Sequence, residues 1–207
     1  MEGDEEVGGG GGLKVRLIGL GWPVGPPPAA TVERFAEGIP EAASALVYSG
    51  TRWVGLSLPL YALWAHVRSA PEEAELAGAF AEVWPGGSAV LPTQLDALSR
   101  VKLVRYLDPR KGLLAVCGDL IPVLQGVAAR TEAVGPSRVV SLDGSVSVRV
   151  AWPSYVGAVL CTGRRTLSDV ITETRLLVGH DDDQMRDEIE QALLELIQRG
   201  LVVLAEG

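Results

Sequence analysis

Cysteine and histidine are nearly absent, with two of each in 207 residues. So few of either exclude a disulfide framework and almost any Cys/His zinc site. Aromatics make up 5% of the chain, although five of them are Trp. Basic residues are in deficit: 18 Lys+Arg face 26 Asp+Glu, a formal net charge of -8. Phosphate contacts need clustered cations, so this balance argues against general nucleic-acid binding. Apolar runs of membrane-spanning length are also missing, since Gly, Pro, Arg or Asp interrupts each one. The start, Met1-Glu2-Gly3-Asp4-Glu5-Glu6, lacks the basic and apolar regions of a signal peptide. With Gly8 to Gly12 it predicts a disordered acidic, Gly-rich tail over residues 1–12. Cys117 and Cys161 stand in apolar runs and are expected as reduced core residues, which makes the cytoplasm the expected compartment.

What is present is a repeat. Leu46, Tyr48, Gly50, Val54, Leu56, Pro59 and Tyr61 answer to Val140, Leu142, Gly144, Val148, Val150, Pro153 and Tyr155, always 94 positions on. Farther down, Leu95, Leu98, Leu103 and Val104 answer to Leu193, Leu196, Leu201 and Val202 at an offset of 98. Upstream, Gly19-x-x-Trp22-Pro23-Val24 is matched with Gly118-x-x-Ile121-Pro122-Val123, after apolar runs at Val15–Ile18 and Leu113–Cys117. Two modules follow, residues 13–108 and 109–207.

The second copy has the clearer local signals. Asp143-Gly144 is a hairpin turn, and Val146, Val148 and Val150 alternate along the strand after it. Pro153 suits the first turn of a helix near 154–161. Thr166-x-x-Asp169 reads as a capping box opening a helix through Val178, broken at Gly179. Asp181–Asp183 start a third helix, about Gln184–Arg199, with Met185, Ile189, Leu193, Leu196 and Ile197 at helical spacing. Gly200 closes it, and 201–204 forms a last strand. The first copy repeats this with a hairpin at Ser49-Gly50 and helices near 60–68, 72–83 and 92–100. A loop at Trp84-Pro85-Gly86-Gly87 and a strand at 103–107 complete it. The expected fold is α+β: two tandem winged-helix-like modules, each a β-hairpin with three helices and a closing strand.

Motifs for chemistry are weak. Gly19-Leu20-Gly21 resembles a dinucleotide-binding turn, but Pro23 and Pro26-Pro27-Pro28 follow where a helix should open. No cofactor is expected. The Asp181–Asp183 run suits a helix start better than a cation, because consecutive residues diverge, so no metal is expected. His66 and His180 have no nucleophile at a catalytic spacing, and no enzyme is expected.

Gly163-Arg164-Arg165-Thr166-Leu167-Ser168-Asp169-Val170 and Leu193-Leu194-Glu195-Leu196 through Gly200-Leu201-Val202 resemble winged-helix peptide-recognition elements. These are the PqqD-like and the cyclodehydratase and E1-like leader-peptide-binding regions of ribosomal-peptide natural-product pathways. The resemblance implies a non-catalytic protein that holds a precursor peptide, or a modifying enzyme with it, by strand addition. Arg52, Trp53, Val54 and Gly55 lie on one candidate edge strand, and Ser147, Val148 and Arg149 on the other. Asp187 and Glu190 lie on the acidic third helix, which is expected to attract a basic peptide segment. Two alternatives stand beside this. Arg100, Lys102 and Arg105 of the first module would read DNA in a transcription regulator. In an adaptor, the edges would instead pair in a homodimer.

Overall fold

The computed structural model describes residues 16–25, 45–68, 71–83, 86–108, 110–125, 127–129, 137–142, 146–179 and 182–207. The expected tail, the Asp143-Gly144 turn, Trp84-Pro85, His180 and Asp181 lie outside these. The chain is mixed α+β, with small antiparallel sheets and, among the described residues, seven helices. No described helix is long and apolar enough to cross a membrane.

The first half runs β1 (Arg16–Gly19), β2 (Trp22–Gly25), β3 (Ala45–Tyr48), β4 (Trp53–Leu56), α1 (Leu58–Val67), α2 (Glu73–Val83), α3 (Gly87–Arg100) and β5 (Val104–Leu107). A short helix, α4 (Gly112–Cys117), follows. The order then recurs as β6 (Ile121–Leu124), β7 (Val127–Ala129), β8 (Ser137–Leu142), β9 (Val146–Ala151), α5 (Trp152–Leu160), α6 (Leu167–Val178), α7 (Asp183–Gln198) and β10 (Val202–Ala205). In each half three strands form one antiparallel sheet, β2-β3-β4 or β7-β8-β9. The strand before them pairs with the last strand, β1 with β5 and β6 with β10.

Each half therefore has more strand than a hairpin with a closing strand. Pro23 and Gly25 hide β2 in the sequence, because proline cannot donate to a ladder. The structure uses β2 at a sheet edge, with a register shift between Pro23 and Gly25. The upstream match also needs correcting. Leu113–Cys117 is helical, not a counterpart of β1. By pairing, Gly19 opposite Val104 corresponds to Leu124 opposite Val202. The third helix of the first half starts at Gly87, so Pro92 lies inside it rather than opening it.

The helices of the second half follow their local signals. Asp169 N–H donates to Thr166 Oγ1 while Thr166 N–H donates to Asp169 Oδ2, each at 3.2 Å. Gly179 ends that helix at φ +78°, a left-handed conformation that favours glycine. Met185 N–H donates to Asp182 Oδ1 at 2.6 Å at the start of α7. Ile189, Leu193, Leu196 and Ile197 form the buried stripe of α7.

Two apolar cores result. One holds Val47, Val54, Leu63, Trp64, Phe80, Leu95 and Leu98 of the first half. The other holds Val148, Val150, Val170, Ile189, Leu193 and Leu204 of the second. Successive residues of a strand face opposite sides. Leu17 accordingly enters the first core, while Ile18 and, beyond the strand, Leu20 enter the second. The last strand then fastens the halves: Gly21 N–H donates to Leu204 O at 2.8 Å and Glu206 N–H to Ser49 O at 2.7 Å. The Trp64 indole donates to Leu20 O at 2.9 Å from the other side.

Candidate functional site

Strand β9 is the outer strand of its sheet and, among the described residues, is hydrogen-bonded to β8 alone. Val148 and Val150 are buried in the core, so Ser147, Arg149 and Ala151 face out. Next to this strand, Gln191, Leu194, Glu195 and Gln198 of α7 line a groove of about 830 Å3 together with Arg149, Val150 and Ala151. Its far wall is Arg16, Pro71 and Glu75 from the first half. Arg16, Gln191 and Leu194 also line a second cavity of about 690 Å3, between α4 and α7. Leu107, Leu113 and Leu114 give that cavity an apolar floor, and Arg110, Lys111, Arg186, Asp187 and Glu190 edge it. Together they run the length of α7.

An outer strand exposes unpaired backbone donors and acceptors at every second residue. A groove with mixed polar and aliphatic walls beside that edge suits an extended chain, whose alternate side chains point into it and away from it.

The structure brings Arg149 and Asp187 to this groove and its continuation. Glu190 is there too, but its carboxylate is engaged. Oε2 accepts the Leu114 N–H at 3.1 Å, and Oε1 lies 3.8 Å from Arg186 Nε. Ser147 is exposed on the same strand nearer its start, whereas the side chain of Val148 belongs to the core.

Arg52, Trp53, Val54 and Gly55 lie on the other three-stranded sheet and do not join this set. Arg52 Nη2 donates to Val101 O at 2.7 Å, tying the start of β4 to the end of α3. Trp53 meets Tyr48 at 5.0 Å with the rings tilted by 43°, and Tyr48 stacks on Trp22 at 6.0 Å, an aromatic row across the sheet. Val54 is a core residue and Gly55 is half-buried.

Gln191, Leu194 and Gln198 escaped the sequence reading, although with Asp187 they form a second helical stripe beside the core stripe of α7. Arg16, Arg110 and Lys111 carry no local signal at all. They reach the site through the β1–β5 pairing and the turn that follows β5.

The remaining candidates have local roles. After Gly19-Leu20-Gly21 the chain enters a strand, and the Gly21 N–H is already given to Leu204. A pyrophosphate would find no helix opening there. His66 Nδ1 lies 3.0 Å from Ala62 O, one helical turn back. Asp119 takes both guanidinium nitrogens of Arg105, at 2.6 and 2.8 Å, and that bonding holds its carboxyl below the usual range. Burial pushes the Cys117 and Cys161 thiols up to about 12. Among the described residues no three His, Cys, Asp or Glu gather as a metal site would require. No family model, curated protein or solved structure matches this chain.

Proposed function

We propose that this chain is a non-catalytic peptide-binding protein of two tandem winged-helix-like modules, residues 13–108 and 109–207. It holds an extended precursor peptide as an added strand along β9. The carrying observation is that the outer edge of β9, unpaired among the described residues, lies against a groove walled by α7. Each half runs four strands, three helices and a closing strand, and within that order lie the hairpin, three helices and closing strand expected of a winged-helix-like module. Backbone hydrogen bonds along β9 supply affinity, and the groove selects alternate side chains.

The DNA reading has less support. Arg100 pairs with Asp96 at 2.6 Å, Lys102 with Glu206 at 3.4 Å, and Arg105 with Asp119. All three cations thus face carboxylates of the protein, which leaves little net charge for phosphate.

Hydrogen exchange with a peptide selected by affinity tests strand addition. The alternate amides of 146–151 that point away from β8 should gain protection on binding, and those of β8, already inside the sheet, should change little. Binding that leaves 146–151 unprotected rules strand addition out. Light scattering on the free chain tests the adaptor alternative, because pairing of β9 edges in a dimer would hide the same amides before any peptide is added.

A further inference from the structure

The acidic third helix suggests a basic ligand, but the charges left available in the groove have the opposite sign. Consider the carboxylates first. Glu190 is held by the Leu114 amide and Arg186. Asp187 lies 3.7 Å from Arg186, which Asp183 and Glu190 share, so this end of α7 keeps some negative excess. Glu75 accepts the Glu72 N–H at 3.3 Å. Only Glu195 has no hydrogen bond or ion pair among the described residues.

The cations are placed differently. Arg149 and Arg199 line the groove, and Arg110 and Lys111 edge the cavity that continues it. None of these four has an ion-pair partner among the described residues, and all four are exposed. Arg16 and Arg186 add their charge from the walls, although both are themselves paired. On a chain with a net charge of -8, the trough is lined by six cations against four carboxylates. The trough also has an aliphatic floor, Leu107, Leu113, Leu114 and Leu194.

We infer that the trough takes an acidic peptide. The ligand carries aliphatic side chains for the floor and an Asp or Glu beside them for Arg110 and Lys111. This rests on the peptide-binding reading and fixes the chemistry of the partner within it. Paired cations have spent most of their field locally, whereas unpaired ones on low-dielectric walls attract a complementary charge over several ångströms. The cavity that continues the groove has an aliphatic floor among its cations, which suits a peptide carrying both aliphatic and acidic side chains better than a bare polyanion.

Selection from a displayed library of random peptides about ten residues long, an extended strand, tests this directly. The targets are the full chain and an Arg110→Glu/Lys111→Glu variant. Both side chains are exposed and unbonded, so the variant should keep the wild-type circular dichroism and melting temperature. Arg164→Glu, an exposed cation on the loop before α6, serves as the control. The expected pool is enriched in Asp or Glu next to an aliphatic residue. Its members should bind the double variant at least about tenfold more weakly and the control unchanged, with affinity falling as salt rises.

A pool without acidic enrichment, or one that binds the double variant equally well, overturns the acidic assignment and leaves strand addition standing. If no peptide is enriched, both readings fall. A duplex oligonucleotide that displaces the selected peptides at equal concentration also overturns the assignment, since the trough would then be a phosphate site.

Discussion

Single residues here divide into those whose partners lie within a few positions and those whose partners lie far off. The Thr166–Asp169 capping box was legible because all its atoms lie within one helical turn. Glu190 was not: its carboxylate serves an amide 76 positions away, so an acid that looked like ligand attraction supports α4 instead. The cysteines were legible as core residues, and their chemistry follows from that. With burial holding both thiols near 12, almost no thiolate exists at neutral pH. Iodoacetamide should leave both unmodified in the native protein and alkylate both once denaturant is added, as read by mass spectrometry. Asp119 gives a prediction in pH. Its folded carboxyl titrates below its unfolded value, about 3.9. Its contribution is therefore complete above that value and fades as pH falls through the lower folded one. The pair with Arg105 is solvent-exposed on the carboxylate side, so Asp119→Asn should cost less than about 1 kcal/mol at neutral pH. Urea melts should show that difference shrinking in strong acid; an equal or larger gap there would contradict it.

At the level of elements, periodicity and caps located six of the seven described helices, α4 having been read as an apolar run like that of β1, and proline misled twice. Pro23 sits in an edge strand whose outward side needs no donor, so the ladder tolerates it. Pro92 lies a turn and a half inside α3, where it removes one backbone hydrogen bond to Ser88. Its ring is exposed, and the stripe Leu91, Leu95 and Leu98 holds the helix through it. Tertiary burial has overridden a local penalty, which no reading of 87–100 alone would reveal. Pro92→Ala should stabilise the protein, by as much as about 3 kcal/mol if the bond to Ser88 forms without loss of packing. Chemical denaturation measures this, and a variant no more stable than wild type would show that the surrounding packing has already absorbed the proline's penalty. The groove follows the same division. Its α7 wall is a stripe that spacing predicts, while its opposite wall comes from β1 and the turn after β5 and depends wholly on tertiary arrangement.

For the whole molecule, the repeat was the most informative feature of the sequence. Offsets of 94 and then 98 carry β3 and β4 onto β8 and β9, and β5 onto β10. They fail upstream, where β1 and β6 share pairing but little sequence. The contacts between the halves were invisible, because they break the repeat: β10 lies against the corner after β1, and β5 has no such neighbour among the described residues. Gly50, at φ +113°, is pressed against the backbone at Glu206, and a methyl group there would collide with Glu206 O. Gly50→Ala should thus cost about 2–4 kcal/mol and loosen the joint, seen as faster exchange at Gly21 and Glu206. Unchanged exchange at those amides would show that the joint does not depend on this turn. The fastening has a consequence in time. On the ribosome the first half emerges early, yet Gly21 N–H and Ser49 O find their partners only once residues 204 and 206 have been made. Leu20 and Ile18 likewise wait, exposed, for the core they belong to. The nascent first half must therefore remain unfinished through roughly a hundred further residues, and the trough between the halves can hold no ligand before the chain has closed on itself.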